Sequence, residues 1–157
     1  MLRLYRDTTP VDLALVDLAI STDNVIGARA IWDVSRLHEL FLTRAQPWSI
    51  GLSAIGGMLH PLEAASPAGL HVVFGEQGRS VKAAIGPGLF ASVHVQSVHE
   101  MSLGERIALQ FDRAVTLAFD GERDMTAGPQ DALVIELDAD GPWVIDTRRA
   151  ITDGVRQ

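Results

Sequence analysis

Three places in this chain bring polar side chains together with glycine or with an apolar setting. The first is Gly51-Leu52-Ser53-Ala54-Ile55-Gly56-Gly57-Met58-Leu59-His60-Pro61. Glycine loses more backbone entropy on folding than alanine, so it serves steep turns or the close approach of another group. Ser53 and His60 add hydrogen-bonding capacity. The segment is either a tightly packed start of a helix or a turn that faces a ligand. The second place is Asp120-Gly121-Glu122. Asp-Gly is a favoured pair for a tight hairpin turn. Two carboxylates flanking a glycine can also hold a proton, or hold a cation against a phosphate. The third is Asp17, a carboxylate inside the apolar run Leu13–Ile20, where burial is costly without a partner.

Several other chemistries are excluded. The histidines at 38, 60, 71, 94 and 99 have no His-x-x-x-His spacing, so no metal site is expected. Gly51-Leu52-Ser53-Ala54-Ile55 follows the nucleophile elbow only until Ile55 stands where its last glycine is needed. Ser53 therefore reads as a small polar residue facing backbone or ligand. There is no Gly-Lys-Ser/Thr loop and no G-x-G-x-x-G fingerprint. The absence of cysteine removes disulfides and thiolate metal sites. A net charge of −7 and a pI near 5.1 argue against a nucleic-acid partner. No apolar run approaches the roughly 20 residues of a membrane span. A soluble cytoplasmic protein is expected.

The elements that must position these residues fall into two halves. Leu13–Ile20 reads as a strand buried on both faces. Asp33 to Thr43 reads as a helix, capped by Asp33 or Ser35, with Ile31, Leu37, Leu40 and Phe41 near helical spacing. From about residue 70, short runs alternate with turn signals. Strands are expected at 70–74, 81–85, 90–95, 106–111, 114–119, 131–137 and 143–145. Gly75–Ser80 and Gly86-Pro87-Gly88 are among the expected breaks. This spacing suggests an antiparallel sandwich or barrel. The fold class is mainly β (α+β), sandwich-like, with one or two short helices near residues 33–60, in a single domain over residues 1–157.

Together these motifs resemble the NAD kinase-like family. Gly51 to Pro61 is similar to that family's glycine-rich segment, with Leu52, Ser53, Ala54, Gly56, His60 and Pro61 matching. Asp17 falls where the family carries an Asn-Glu/Asp motif, with Val16 in place of the asparagine. Leu117-Ala118-Phe119-Asp120-Gly121-Glu122 resembles the Asp-Gly-Glu/Gln strand shared with diacylglycerol-type lipid kinases. Gly27-Ala28-Arg29-Ala30-Ile31-Trp32-Asp33 and Ile50–Ile55 look like the AcoX branch, named for acetoin catabolism. Gln46-Pro47-Trp48 replaces the family's Gly-Ser-Thr.

The resemblance covers nearly the whole chain but only the C-terminal half of a family member. It implies a site for a nucleotide or phosphorylated small molecule. Asp17, Gly51, Ser53, Gly56, Gly57 and His60 would contact that ligand, and Asp120 or Glu122 would act as base or cation ligand. It implies NAD or ATP with Mg²⁺ as ligands of the family, although the residues themselves name no cofactor. The Gly-Gly-Asp-Gly of the family's N-terminal α/β domain does not occur here, so kinase activity from this chain alone is not expected. The implied partners are that missing domain or further copies of the chain. The alternative reading is a non-enzymatic assembly module or a subunit of a split kinase.

Overall fold

A computed structural model describes residues 1–22, 33–63, 65–143 and 145–155. The chain begins with β1 (Leu2–Arg6) and β2 (Thr9–Ala14), then crosses to β3 (Asp17–Ser21). A single 3-10 turn at Val34–Arg36 leads into β4 (Leu37–Leu42), and the short helix α1 (Leu52–Gly57) follows. Two long strands, β5 (Ala68–Gly86) and β6 (Leu89–Ser102), form an extended hairpin. After them come β7 (Arg106–Ala108), β8 (Val115–Phe119), β9 (Arg123–Ala127), β10 (Leu133–Leu137) and α2 (Thr147–Val155).

The strands make two antiparallel sheets. One has four strands in the order β2-β1-β10-β7, the other six in the order β6-β5-β4-β3-β8-β9. The residue pattern explains the layering. In β1 and β10 the apolar residues alternate, with Leu2, Leu4, Leu133, Ile135 and Leu137 buried. One face of that sheet therefore meets a core. In β8 all five residues are buried, because the six-stranded sheet is covered on both sides. Leu18, Ile20, Phe41, Leu117 and Phe119 meet the four-stranded sheet. Ala19, Leu40, Leu42, Leu70 and Val72 form a second core on the opposite face, together with Ala54 and Ile55 of α1. Each large aliphatic or aromatic side chain so buried contributes about 1.5–3 kcal/mol. The ends of the first sheet close on each other: the Met1 ammonium donates to the Asp138 carbonyl, and Asp138 N–H donates to the Met1 carbonyl, both at 2.8 Å.

The β-rich class expected from the sequence is the one observed. Several elements differ. The helix expected over Asp33–Thr43 is a 3-10 turn followed by a strand. Asp33 does cap the turn, accepting from Ser35 N–H at 3.0 Å. Leu40, Phe41 and Leu42 are all buried because they alternate between the two cores, and such a doubly buried run mimics helical spacing. The strand expected over Leu13–Ile20 breaks at Leu15–Val16 and divides between the two sheets. The break expected at Gly75–Ser80 is a bulge within β5: Phe74 and Arg79 both stand opposite Val95. Gly78 permits it, since a Cβ there would lie 2.3 Å from the Val95 backbone. The strand expected at 106–111 stops at Ala108. Trp143 and Ile145 lie in no strand, while Val144 falls outside the described residues. The Gly27–Trp32 part of the AcoX-like motif, and Ile31 with it, also lie outside them.

Candidate functional site

Asp120 and Gly121 are the central residues of the turn that starts the three-residue connection Asp120–Glu122 between β8 and β9. Both have positive φ, 52° and 65°, and Glu122 N–H donates to the Phe119 carbonyl at 2.9 Å. This is the geometry that a right-twisted hairpin favours. The Asp120 side chain does more than turn. Its carboxylate accepts the backbone N–H groups of Leu15 and Val16 at 2.7 Å each and of Asp17 at 3.1 Å. From the other side Thr43 donates its hydroxyl to the Leu15 carbonyl at 2.7 Å and its N–H to the Val16 carbonyl at 2.9 Å. The corner between β2 and β3 is thus held by one carboxylate and one threonine. Glu122 is exposed.

Asp17 opens β3 at this corner. Its carbonyl accepts from Asp120 N–H at 2.9 Å. Burial pushes its carboxyl up from 3.8 to about 6, the charge of Asp120 adds to the rise, and Arg44 opposes it. A carboxyl poised near neutrality can give or take a proton under ordinary conditions.

The glycine-rich segment is α1 and its flanks. Gly51 starts the helix with φ 107° and is anchored by its N–H to the Ala84 carbonyl of β5 at 2.9 Å. No atom lies within 4 Å of where a Cβ would stand. Gly56 and Gly57 are different. A Cβ on Gly56 would meet Leu42 Cδ1 at 2.3 Å, and one on Gly57 would meet the Gln46 carbonyl carbon at 2.4 Å. These two glycines let the helix lie directly on β4 and on Gln46-Pro47. Ser53 is half-buried in the first turn. His60 follows the helix, and its Nε2 lies 2.8 Å from Glu100 of β6, both half-exposed.

One row of the six-stranded sheet relates these residues. Asp17 stands opposite Leu42, Leu42 opposite Leu70, and Leu70 opposite Glu100. Three inter-strand steps separate the Asp17 end from the His60–Glu100 end, roughly 14 Å. Gly56 rests over Leu42 and Leu70 in the middle of the row. The fold gathers Asp17, Asp120, α1 and His60 along one end of one sheet. Asp17 and Asp120 meet directly, whereas His60 stands apart with Glu100.

Two clefts flank this arrangement. One of about 280 Å³ is lined by Leu15 and Thr43 of the Asp120-held corner, with Leu103, Leu137 and Asp138. A larger one, about 510 Å³, lies toward the start of β4 and the β5 bulge, lined by Val34, His38, Phe74, Glu76 and His94 among others. None of the residues singled out from the sequence as site residues lines either cleft.

Sequence reasoning missed a pair of imidazole–carboxylate contacts. His71 stacks on Phe41 with centroids 4.2 Å apart, and its Nε2 lies 2.6 Å from Glu39. His99, directly opposite His71, reaches Glu105 at 2.5 Å. A backbone bond from Ser102, and then the contact with His99, hold the Glu105 carboxyl below its ordinary range. Strand pairing brings His71 to Glu39, and the turn after β6 brings Glu105 back to His99; neither contact has a spacing that announces it in the sequence. Among the described residues no group of three or more His, Asp or Glu could hold a metal ion. At Asp120 three of the roughly four acceptor sites of the carboxylate are used by backbone donors.

The class defined by this architecture is a two-sheet antiparallel β domain with one small helix covering the outer face of its larger sheet. The family model described as the Acetoin catabolism protein X C-terminal domain matches residues 1–140, and the chain belongs to that family. It is similar to Acetoin catabolism protein X of Cupriavidus necator, 35% identical over 129 residues that cover 80% of this chain and 36% of that protein. The chain thus spans little more than a third of that relative's length. No solved structure matches. Among the described residues, no helix is long and apolar enough to cross a membrane.

Proposed function

We propose that this chain is the ligand-binding β domain of an AcoX-type, NAD kinase-like protein. It takes a nucleotide or a related phosphorylated small molecule at the Asp17 end of the six-stranded sheet. The observation that carries this reading is the Asp17 carboxyl, half-buried at a sheet end and raised toward neutrality. Perturbed carboxyls of this kind concentrate at functional sites. The adjoining cleft beside Leu15 and Thr43 gives a ligand room. In this reading Asp120 is a positioning residue that fixes the corner from which Asp17 projects, while His60 lies three strands along the same row and Gly51 and Ser53 lie where α1 starts, beside Ala84 of β5. Gly56 and Gly57 serve through packing. The chain does not transfer phosphate alone, because phosphoryl transfer needs backbone donors and a cation arranged around the phosphate charge, and the Gly-Gly-Asp-Gly motif that the resemblance assigns to that task does not occur in it.

Thermal unfolding in the presence of NAD, NADP or ATP tests the reading. A ligand at about 100 times its Kd stabilises the folded state by about 2.7 kcal/mol. We expect a clear upward shift with at least one nucleotide, and its loss in Asp17→Asn. The absence of a shift with all three would overturn the reading, as would formation of NADP from ATP and NAD by the chain alone.

A second reading, an assembly module, is favoured by the apolar surface around α1. Trp48, Ile50 and Met58 are 71%, 59% and 49% exposed. Large exposed apolar patches mark surfaces that another domain or protein covers.

A further inference from the structure

The chain leaves its β framework at the rim of the smaller cleft. Leu137, Asp138 and Ala139 line that cleft, as do Leu15, Thr43 and Leu103. Arg3 fixes the exit: its Nε donates to the Asp138 carboxylate at 2.6 Å and its Nη2 to the Asp140 carbonyl at 3.2 Å. Gly141-Pro142 follow, and a Cβ on Gly141 would meet nothing within 4 Å. Beyond them Trp143 is fully exposed, and Ile145, Ile151 and Val155 are largely so. The helix α2 is capped from within, since Asp146 accepts the Arg149 N–H at 2.9 Å, but it buries no residue. A helix of nine residues is marginal in water without packing, so α2 needs a surface to rest on. It lies beyond residues 1–140, the part matched to the family.

The cleft offers such a surface. Leu15 and Leu103 are each 47% exposed on its rim, an apolar landing for Trp143 and Ile145. Its surroundings are acidic. Asp120 accepts from Leu15, and Asp138 lines the cleft itself. The arginines nearby are engaged: Arg3 with Asp138, and Arg123 with Asp12 at 3.1 Å and with the Leu13 carbonyl. Arg44 is exposed and acts on Asp17. A phosphate placed here needs further positive charge, and α2 carries it. Arg148 makes no ion pair among the described residues, and Arg149 has only a loose one, 3.7 Å from Asp153. Residues 141–157 hold three arginines against two aspartates in an otherwise acidic chain.

We propose that α2 folds back over the cleft when a phosphorylated ligand is bound, with Arg148 and Arg149 donating to its phosphate oxygens and Trp143 resting on Leu15 and Leu103. This assignment rests on the phosphorylated-ligand reading of the Asp17 end, and adds to it the groups that hold the phosphate. Guanidinium suits the task because its planar fork donates to two phosphate oxygens at once. Gly141-Pro142 is the pivot. Residues 140–146 span up to about 23 Å when extended, enough to bring α2 back to the exit it left.

Thermal shift with NAD, NADP and ATP on the wild-type chain, and on the double variant Arg148→Ala with Arg149→Ala, tests the assignment. Both side chains are exposed, so the variant's circular dichroism and ligand-free midpoint should match wild type. The nucleotide that shifts the wild type should bind the variant about tenfold more weakly at low salt, the scale of a charged hydrogen bond. Equal affinities would overturn the assignment and leave the Asp17 reading standing. No shift of the wild type with any of the three would overturn that reading, and the assignment with it. Amide exchange of the wild-type chain gives a second readout that no variant affects. Protection of Thr147–Val155 should rise when that nucleotide is added. A helix that exchanges equally fast with and without it would overturn the closure.

Discussion

At the scale of the residue, Asp17 is where acidity couples to stability. Its carboxyl titrates near 6 when folded, against about 3.8 when exposed. The folded chain therefore holds this proton more tightly than the unfolded chain does. The resulting stabilisation is complete below about pH 4 and is lost as pH rises through 6, about two units at ~1.4 kcal/mol each, so at most about 3 kcal/mol. Asp17→Asn removes the charge that burial disfavours. Relative to wild type it should gain stability between pH 4 and pH 7.5, read from urea midpoints at both; parallel behaviour of the two proteins would contradict this account. The sequence showed that a carboxylate sat in an apolar run. It could not show that Asp120, 103 to 105 positions away, binds the three N–H groups beside it. The Asp-Gly pair announced the turn through its backbone preference, while the side chain's destination depends on which strands become neighbours.

At the scale of the element, α1 settles what its glycines are for. Six residues cannot hold a helix by propensity, so packing must hold it. Gly57 lies within van der Waals distance of the Gln46-Pro47 backbone, and Gly57→Ala would drive a methyl group into it. Overpacking of this kind costs about 1–3 kcal/mol, more where backbone rather than a side chain must yield. We expect Gly57→Ala to lower the unfolding midpoint clearly, with nucleotide response and particle mass unaltered in whatever remains folded. The sequence carried both explanations for this segment, close packing and a ligand cradle, because glycine supplies both. The packing differs residue by residue: Gly56 and Gly57 are closely packed from outside, and Gly51 faces open space. The strand β4 was read as a helix for a related reason. A strand between two cores is apolar on both sides, and its periodicity no longer distinguishes it.

At the scale of the whole molecule, the β class was legible because turn residues recur at short intervals after residue 70. The partition into two sheets was not. The strands β1 and β2 were overlooked because Arg3, Arg6 and Asp12 dilute their apolar residues, yet alternation alone places Leu2 and Leu4 in the core. Which strand joins which sheet depends on long-range pairing such as Leu4 with Ile135. That same pairing has a topological consequence. Met1 and Asp138 exchange backbone hydrogen bonds, so the two extremities of the domain's β framework lie side by side. A few residues of linker could join them into a closed loop of chain, and the Pro87-Gly88 tip, where Gly88 stands with φ 70° in open space, offers a place to cut it. Such a circular permutant, starting at Gly88 and ending at Pro87, should keep the wild-type circular dichroism and a cooperative thermal transition. Loss of that transition would mean that chain order, beyond the pairing of β1 with β10, is needed to form the sandwich.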